Sequence, residues 1–253
     1  MTKRIRTTQL HNRADVIIYS VPNIPADRLR CPHRGGHSTP AQQRYNKKKS
    51  LKRIVLKALN TYTKGSFFIV YTYNDEYLPA DTEVANKDMV NVIRATKRLY
   101  KKSGIDCQYI GVVECGEKFG RIHCHVLYPY SPEIDFKEIK AKWKKGNVFI
   151  KYVPVSQVEN WTRYVLKEPV RQTISKNFEL PTENVQDISE EEYREIVNNP
   201  VNLEKALPGF VVCDVKESLF NGWAASYKKI EIRLKEDKKV KEKQFFIERR
   251  WAS

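Results

Sequence analysis

His123 and His125, two positions apart, are the residues of this chain best placed to do chemistry. On a β-strand, positions i and i+2 point to the same face, about 6–7 Å apart. From there two imidazoles can converge on one cation. Glu114 precedes His123 by nine positions. With a turn over residues 116–121, Glu114 falls directly across from His123 on the same face; a one-residue slip would throw it to the other side. Two imidazoles and one carboxylate then form an open three-ligand site. Mixed nitrogen and oxygen ligation suits Mg²⁺ or Mn²⁺ and leaves positions for water and a phosphate. An H-x-H pair alone is a weak signal, and Glu114 alone is an ordinary strand-end carboxylate.

The second candidate is Tyr164-Val165-Leu166-Lys167. On a helix, i and i+3 share a face. A nearby ammonium stabilises a phenolate and charge developing on a phosphate, and a metal polarising the same phosphate adds to that. The same spacing also arises in an ordinary amphipathic helix, with Trp161 and Val165 inward and Tyr164 half buried. A third cluster, Cys31-x-His33-x3-His37, offers three zinc candidates but no partner pair.

These residues need elements to hold them. Ser66–Tyr73 (SFFIVYTY) is β-branched and aromatic throughout and reads as a buried strand. Asn74-Asp75 with Pro79 makes a turn, and a helix follows over Thr82–Lys102. Cys107–Glu114 and Ile122–Tyr128 read as a hairpin of two strands. A short helix over Asp135–Lys144, a strand over Asn147–Val153 and a helix over Ser156–Glu168 complete the order β-α-β-β-α-β-α. That order predicts an α+β domain whose mostly antiparallel sheet carries helices on one face. Upstream, Ser38-Thr39-Pro40 opens a helix running to about Asn60. Leu51, Val55, Ala58 and Leu59 form its apolar stripe, and Arg44, Lys47, Lys48, Lys49, Lys52, Arg53 and Lys57 make the rest basic. Asp15–Tyr19 suggests a short strand. Ser189-Glu190-Glu191-Glu192 is a capping box. Phe210–Val215 and Tyr227–Leu234 suggest two further strands, and the end from Lys235 a solvated helix or tail.

Composition narrows the partners. The 253 residues carry 46 Lys and Arg against 30 Asp and Glu, a net charge of +16, which points to a polyanion. Residues 1–66 alone hold 15 basic and 2 acidic side chains. Hydrophobic residues at 41% allow a packed core. No apolar run reaches the roughly 18 residues of a membrane span, and no secretory leader stands out. Five cysteines without a C-x-x-C pair argue against a disulfide framework and fit the cytoplasm. No G-x-x-x-x-G-K-[ST] loop occurs, which argues against a P-loop helicase within the chain. Charge and pattern divide the chain into a basic segment 1–65, a core 66–181 and an extension 182–253.

Taken in order, Phe67–Tyr73 with Asn74-Asp75, Glu114-x8-His123-x-His125 and Tyr164-x-x-Lys167 resemble the three motifs of HUH endonucleases, the rolling-circle replication initiators and relaxases. Ser38-Thr39-Pro40-Ala41-x-x-Arg44-Tyr45-Asn46, G-R-I-H-C-H at Gly120–His125 and Lys142-Trp143-x-x-Gly146 are similar to replication-associated proteins of bacterial plasmids and phages, including the filamentous-phage gene II proteins and the small-phage initiators. The resemblance covers residues 38–181. It implies an RRM-like sheet with a divalent ion on its open face, held by Glu114, His123 and His125. It implies that Tyr164 attacks the scissile phosphodiester of single-stranded origin DNA, leaving a 5′-phosphotyrosine and a free 3′-OH, with Lys167 assisting. Where some relatives place a second tyrosine, this chain has Glu168. Ile122 stands where small-phage relatives often have proline. DNA contacts are expected from Arg44, Lys47, Lys48, Lys49, Lys52 and Arg53, and from Asn74, Asp75 and Arg121 around the site. Tyr45, Tyr62, Tyr71 and Tyr73 are candidates for stacking on unpaired bases. A host helicase and polymerase would act alongside, in a bacterial cytoplasm. A transposase or mobilisation relaxase would use the same site on other DNA. A non-catalytic RRM-like nucleic-acid binder would need the charge but no metal.

Overall fold

The computed structural model describes residues 1–21, 38–116, 120–167, 169–221 and 226–236. Among these, the elements run in the order β1 (Thr2–Gln9), β2 (Arg13–Val21), α1 (Pro40–Thr61), β3 (Ser66–Thr72), α2 (Thr82–Lys102), β4 (Ile110–Cys115), β5 (Ile122–Pro129), α3 (Phe136–Ala141), β6 (Val148–Val153), α4 (Val158–Val165), β7 (Arg171–Ile174), β8 (Thr182–Ile188), α5 (Glu190–Asn198), α6 (Asn202–Ala206), β9 (Phe210–Asn221) and β10 (Ser226–Glu236). They form two compact units, one of residues 40–180 and one of residues 1–39 with 181–253. Each contains a five-stranded antiparallel sheet.

The contiguous unit is an α+β domain with strand order β6-β3-β5-β4-β7. Its first four strands lie in the order fourth, first, third, second, an RRM-like arrangement. Period-two alternation sorts its central strand β3 into two faces. Phe67, Ile69 and Tyr71 enter a core with Cys124, Val126 and Tyr128 of β5 and Val113 of β4. Helix α2 closes that core with Ala85, Met89, Val92, Ile93, Leu99 and Tyr100, a stripe at spacings of three and four. Asp81 caps α2, its carboxylate accepting from the Glu83 and Val84 N–H groups at 2.8 Å each. Those bonds hold the Asp81 carboxyl below its usual range. Gly111 lets α2 pack closely on β4: a Cβ there would press on the Ile93 and Met89 side chains at 3.0 and 3.1 Å. On the opposite face, Phe68 meets Trp161 of α4, with ring centroids 4.4 Å apart. Helix α1 packs on α4 and buries Val55, Leu56, Ala58 and Leu59.

The second unit has strand order β8-β1-β2-β10-β9. Ile5, Ala14, Val16, Ile18, Ile230, Ile232 and Leu234 line one face of the sheet, and Leu203 of α6 packs onto it. Ser189 caps α5 in the expected capping box with Glu192.

These units cut the chain differently from its composition. The basic helix α1 belongs with the 40–180 unit, while residues 1–21 pair with residues 182–188 and 230–235. Charge marked a border at residue 65, whereas strand pairing joins the two ends of the chain. Cys31, His33 and His37, the zinc candidates, lie outside the described residues, as does the tail after Glu236. No helix among the described residues is long and apolar enough to cross a membrane.

Candidate metal centre and nucleic-acid face

The register of β4 and β5 decides the site. Glu114 pairs with His123, and Val112 with His125, so all four side chains share one face. Glu114 Oε2 lies 3.3 Å from His125 Nε2 and 3.9 Å from His123 Nε2. One ligand atom from each of the three residues falls within 4.8 Å of the other two. Glu114, His123 and His125 are the group among the described residues that can hold a metal ion.

The donor set fits a divalent cation. His125 is 5% exposed, and both of its ring nitrogens lack a hydrogen-bond partner. A buried polar atom left unpaired costs about 1–3 kcal/mol, and a cation between Nε2 and the carboxylate would remove that cost. Phe68 fixes the imidazole plane by stacking on it, at 5.2 Å between centroids and 19° between planes. His123 Nδ1 lies 3.1 Å from the Arg121 carbonyl. With the proton on Nδ1 donated to that oxygen, the Nε2 lone pair faces Glu114. Cys124, between the two histidines, points the other way into the core, as the alternation requires.

Tyr164 comes from α4. Its ring centroid is 6.2 Å from that of His125, 6.4 Å from Phe68 and 5.8 Å from Trp161. The side chain is 55% exposed, in contrast to the buried Val158, Thr162 and Val165 on the same helix. Helix α4 is shorter than expected. A 3₁₀ turn occupies Val155–Gln157 and the helix ends at Val165. Lys167 therefore lies in the closing turn, its N–H donating to the Tyr164 carbonyl at 3.2 Å and its side chain exposed.

Asn74 and Asp75 sit just beyond β3 in a short turn. Arg121 clamps this turn, donating to Asp75 Oδ1 at 2.6 Å and to the Tyr73 carbonyl at 2.9 Å. Asp75 is therefore an ion-pair partner of Arg121 and stands outside the three-residue cluster. The W-x-x-G segment supplies a strap for the same turn. Trp143 Nε1 donates to the Thr72 carbonyl at 2.8 Å, and Asn74 N–H to the Lys145 carbonyl at 2.9 Å. Gly146 passes so close that a Cβ would meet the Thr72 oxygen at 2.2 Å.

The basic helix divides in two. Residues 40–50 of α1, with Arg44, Lys47, Lys48 and Lys49, are exposed at every position. Arg53 is also exposed, and Lys52 is half-buried where the apolar stripe begins. Of the four tyrosines expected to stack on bases, Tyr45 alone is exposed. Tyr62, Tyr71 and Tyr73 are buried in the core, and Tyr62 donates to the Leu127 carbonyl at 3.2 Å. The uniform apolar run of β3 hid which face Tyr71 and Tyr73 occupy. Phe68 and Trp161, which pack against His125 and Tyr164, were given no such role by the motifs; their signal was the alternation of β3 and the spacing of three from Trp161 to Tyr164.

Residues 66–169 match the family model of the replication-associated ORF2 and gene II proteins. The match spans under half of the chain and includes Glu114, His123, His125, Tyr164 and Lys167. No curated protein and no solved structure matches the chain. The family match supports a role in replication initiation.

Proposed function

We propose that this protein is a metal-dependent, site-specific single-strand DNA endonuclease and strand transferase that initiates rolling-circle replication. The observation that carries this reading is one exposed phenol, Tyr164, standing 6.2 Å from the ring of a buried imidazole whose two nitrogens have no partner. The replication-associated match over the same residues supports it.

Glu114, His123 and His125 would hold the divalent ion, which when bound would polarise a phosphodiester and offset its charge. Tyr164 Oη attacks phosphorus. The Oη–P bond forms, the bond from phosphorus to the 3′ oxygen breaks, and that oxygen leaves as a 3′-OH with a proton taken up. The phenolic proton is lost to water on the exposed side of Tyr164, and the Lys167 ammonium would offset charge developing on the phosphate. The 5′-phosphotyrosine keeps a phosphodiester, so attack by a 3′-OH on the same phosphorus reverses the step and rejoins strands. The exposed basic side chains of α1 would neutralise DNA phosphates, which makes binding fall steeply with salt.

The test is incubation with Mn²⁺ and single-stranded origin DNA, followed by a denaturing gel. Wild type should give a covalent adduct; Tyr164→Phe should give none while binding Mn²⁺ as wild type does in calorimetry. An adduct from Tyr164→Phe equal to wild type would overturn the mechanism. DNA binding with no adduct from wild type would leave a non-catalytic binder.

A further inference from the structure

The face that carries the cluster is closed at one end and bare at the other. Above β5, His125 and Leu127 are buried. On the edge strand β6, the residues of the same face, Phe149 and Lys151, are both exposed, as is Asn147 just before the strand. Phe149 is 61% exposed, matched only by Leu180 among the large apolar side chains described. It pairs across β3 with Val70, which pairs in turn with His125. At about 4.8 Å per strand, Phe149 lies about 10 Å from His125 along the sheet. Lys151 is the next residue of that face, its ammonium 4.8 Å from the centre of the Trp161 ring. Trp161 in turn packs beside Tyr164.

A lone exposed apolar side chain is ordinary on a protein surface. This one is flat, held on a rigid strand, on the same face as the metal-binding residues and beside a fixed cation. We infer that Phe149 is a stacking platform for an unpaired base, with Lys151 taking an adjoining phosphate. The inference rests on the proposed action on single-stranded DNA and adds a reason for it. A base can cover Phe149 only when its own π-face is free, which pairing in a duplex prevents. The platform would seat a nucleotide flanking the reacting phosphate. Base–aromatic stacking is tolerant of sequence, so Phe149 would select strandedness and leave sequence to other contacts.

The probe is a fluorescein-labelled dT 20-mer, compared with a hairpin duplex of the same charge, both read by anisotropy. Phe149→Ala should weaken dT binding by about 10- to 100-fold and leave hairpin binding and Mn²⁺ binding unchanged. Phe149→Trp should bind dT at least as well as wild type, which separates stacking from a general disturbance of β6. Equal loss on both probes, or failure of the Trp variant to rescue, would overturn the platform. So would dT binding by Phe149→Ala equal to wild type, an outcome that leaves the nuclease reading standing. Wild type with no affinity for dT would overturn the platform and leave the nuclease reading to its own test on origin DNA. Dissociation of a dimer by Phe149→Ala would overturn it too, assigning the edge to a second copy of the chain.

Discussion

The two sheets of this molecule have the same number of strands and differ in where their charged and titratable side chains gather. In the sheet of residues 1–21 and 182–236, charged side chains find protein partners. Arg4 meets Asp187 at 2.7 Å, Arg13 meets Asp15 at 3.1 Å, and Lys3 lies 3.8 Å from Glu190. Arg4 holds the Asp187 carboxyl below its ordinary range through that hydrogen bond. In the sheet of residues 66–174, the imidazole of His125 is buried and makes no hydrogen bond through either nitrogen, with the Glu114 carboxylate 3.3 Å from Nε2. The first arrangement pairs opposite charges within the fold. The second costs stability unless something from outside completes it.

The comparison can be broken most decisively at His125. His125→Leu should abolish Mn²⁺-dependent nicking, yet the metal-free variant should unfold at the same urea concentration as wild type or higher. An imidazole that makes no hydrogen bond has none to lose, and an apolar side chain of similar size avoids the cost of burying its nitrogens. A marked drop in the metal-free midpoint would mean that the imidazole serves the fold. The counterpart in the other sheet is Ile18→Ala, which removes a fully buried side chain. It should cost about 2–5 kcal/mol in urea unfolding and leave Mn²⁺ affinity unchanged, because every residue of the cluster belongs to the 40–180 unit.

The apolar side of the sheet that carries Glu114, His123 and His125 sharpens the comparison through pH. Burial pushes the Cys107 thiol up to about 12 and raises the Tyr71, Tyr100 and Tyr128 phenols. These groups are neutral in the fold, whereas a free thiol ionises from about pH 9 and a free phenol from about pH 10. Their contribution is complete below pH 9 and lost as pH rises toward 12. The urea midpoint should therefore decline over that window, and Cys107→Ala should flatten the early part of the decline. The smallest effect is expected at the α5 cap. Ser189→Ala removes the hydroxyl that accepts from the Glu192 N–H and should cost about 1 kcal/mol.

The contiguous sheet was legible because its signals are local. Helix α2 runs over Thr82–Lys102, the bounds its periodicity and flanking residues gave. The Glu114–His123 pairing followed from counting across one short turn. The end-joining sheet was not legible to the same degree. Thr2–Gln9 is polar and basic, and it becomes a strand through partners in β2 and in β8, more than 170 positions away. No window of the sequence contains both sides of that ladder. Lys167 lies beyond the last residue of α4, Val165, yet its N–H reaches the Tyr164 carbonyl one turn back at 3.2 Å. The orientations of Tyr71 and Tyr73 depended on which side of β3 met α2, and an unbroken apolar run does not specify that.

The joining of β1 and β2 to β10 sets the order of events on the ribosome. The first two strands emerge early, but their neighbour across Ile18 is Ile230. At about 5–20 residues per second, the opening hairpin waits on the order of ten seconds or more for that strand. During the wait its Val16 and Ile18 edge has no native cover, and residues 40–180 are synthesised in full. The nascent chain thus has residues 40–180 available to fold before the sheet that contains β1 and β2 can be completed.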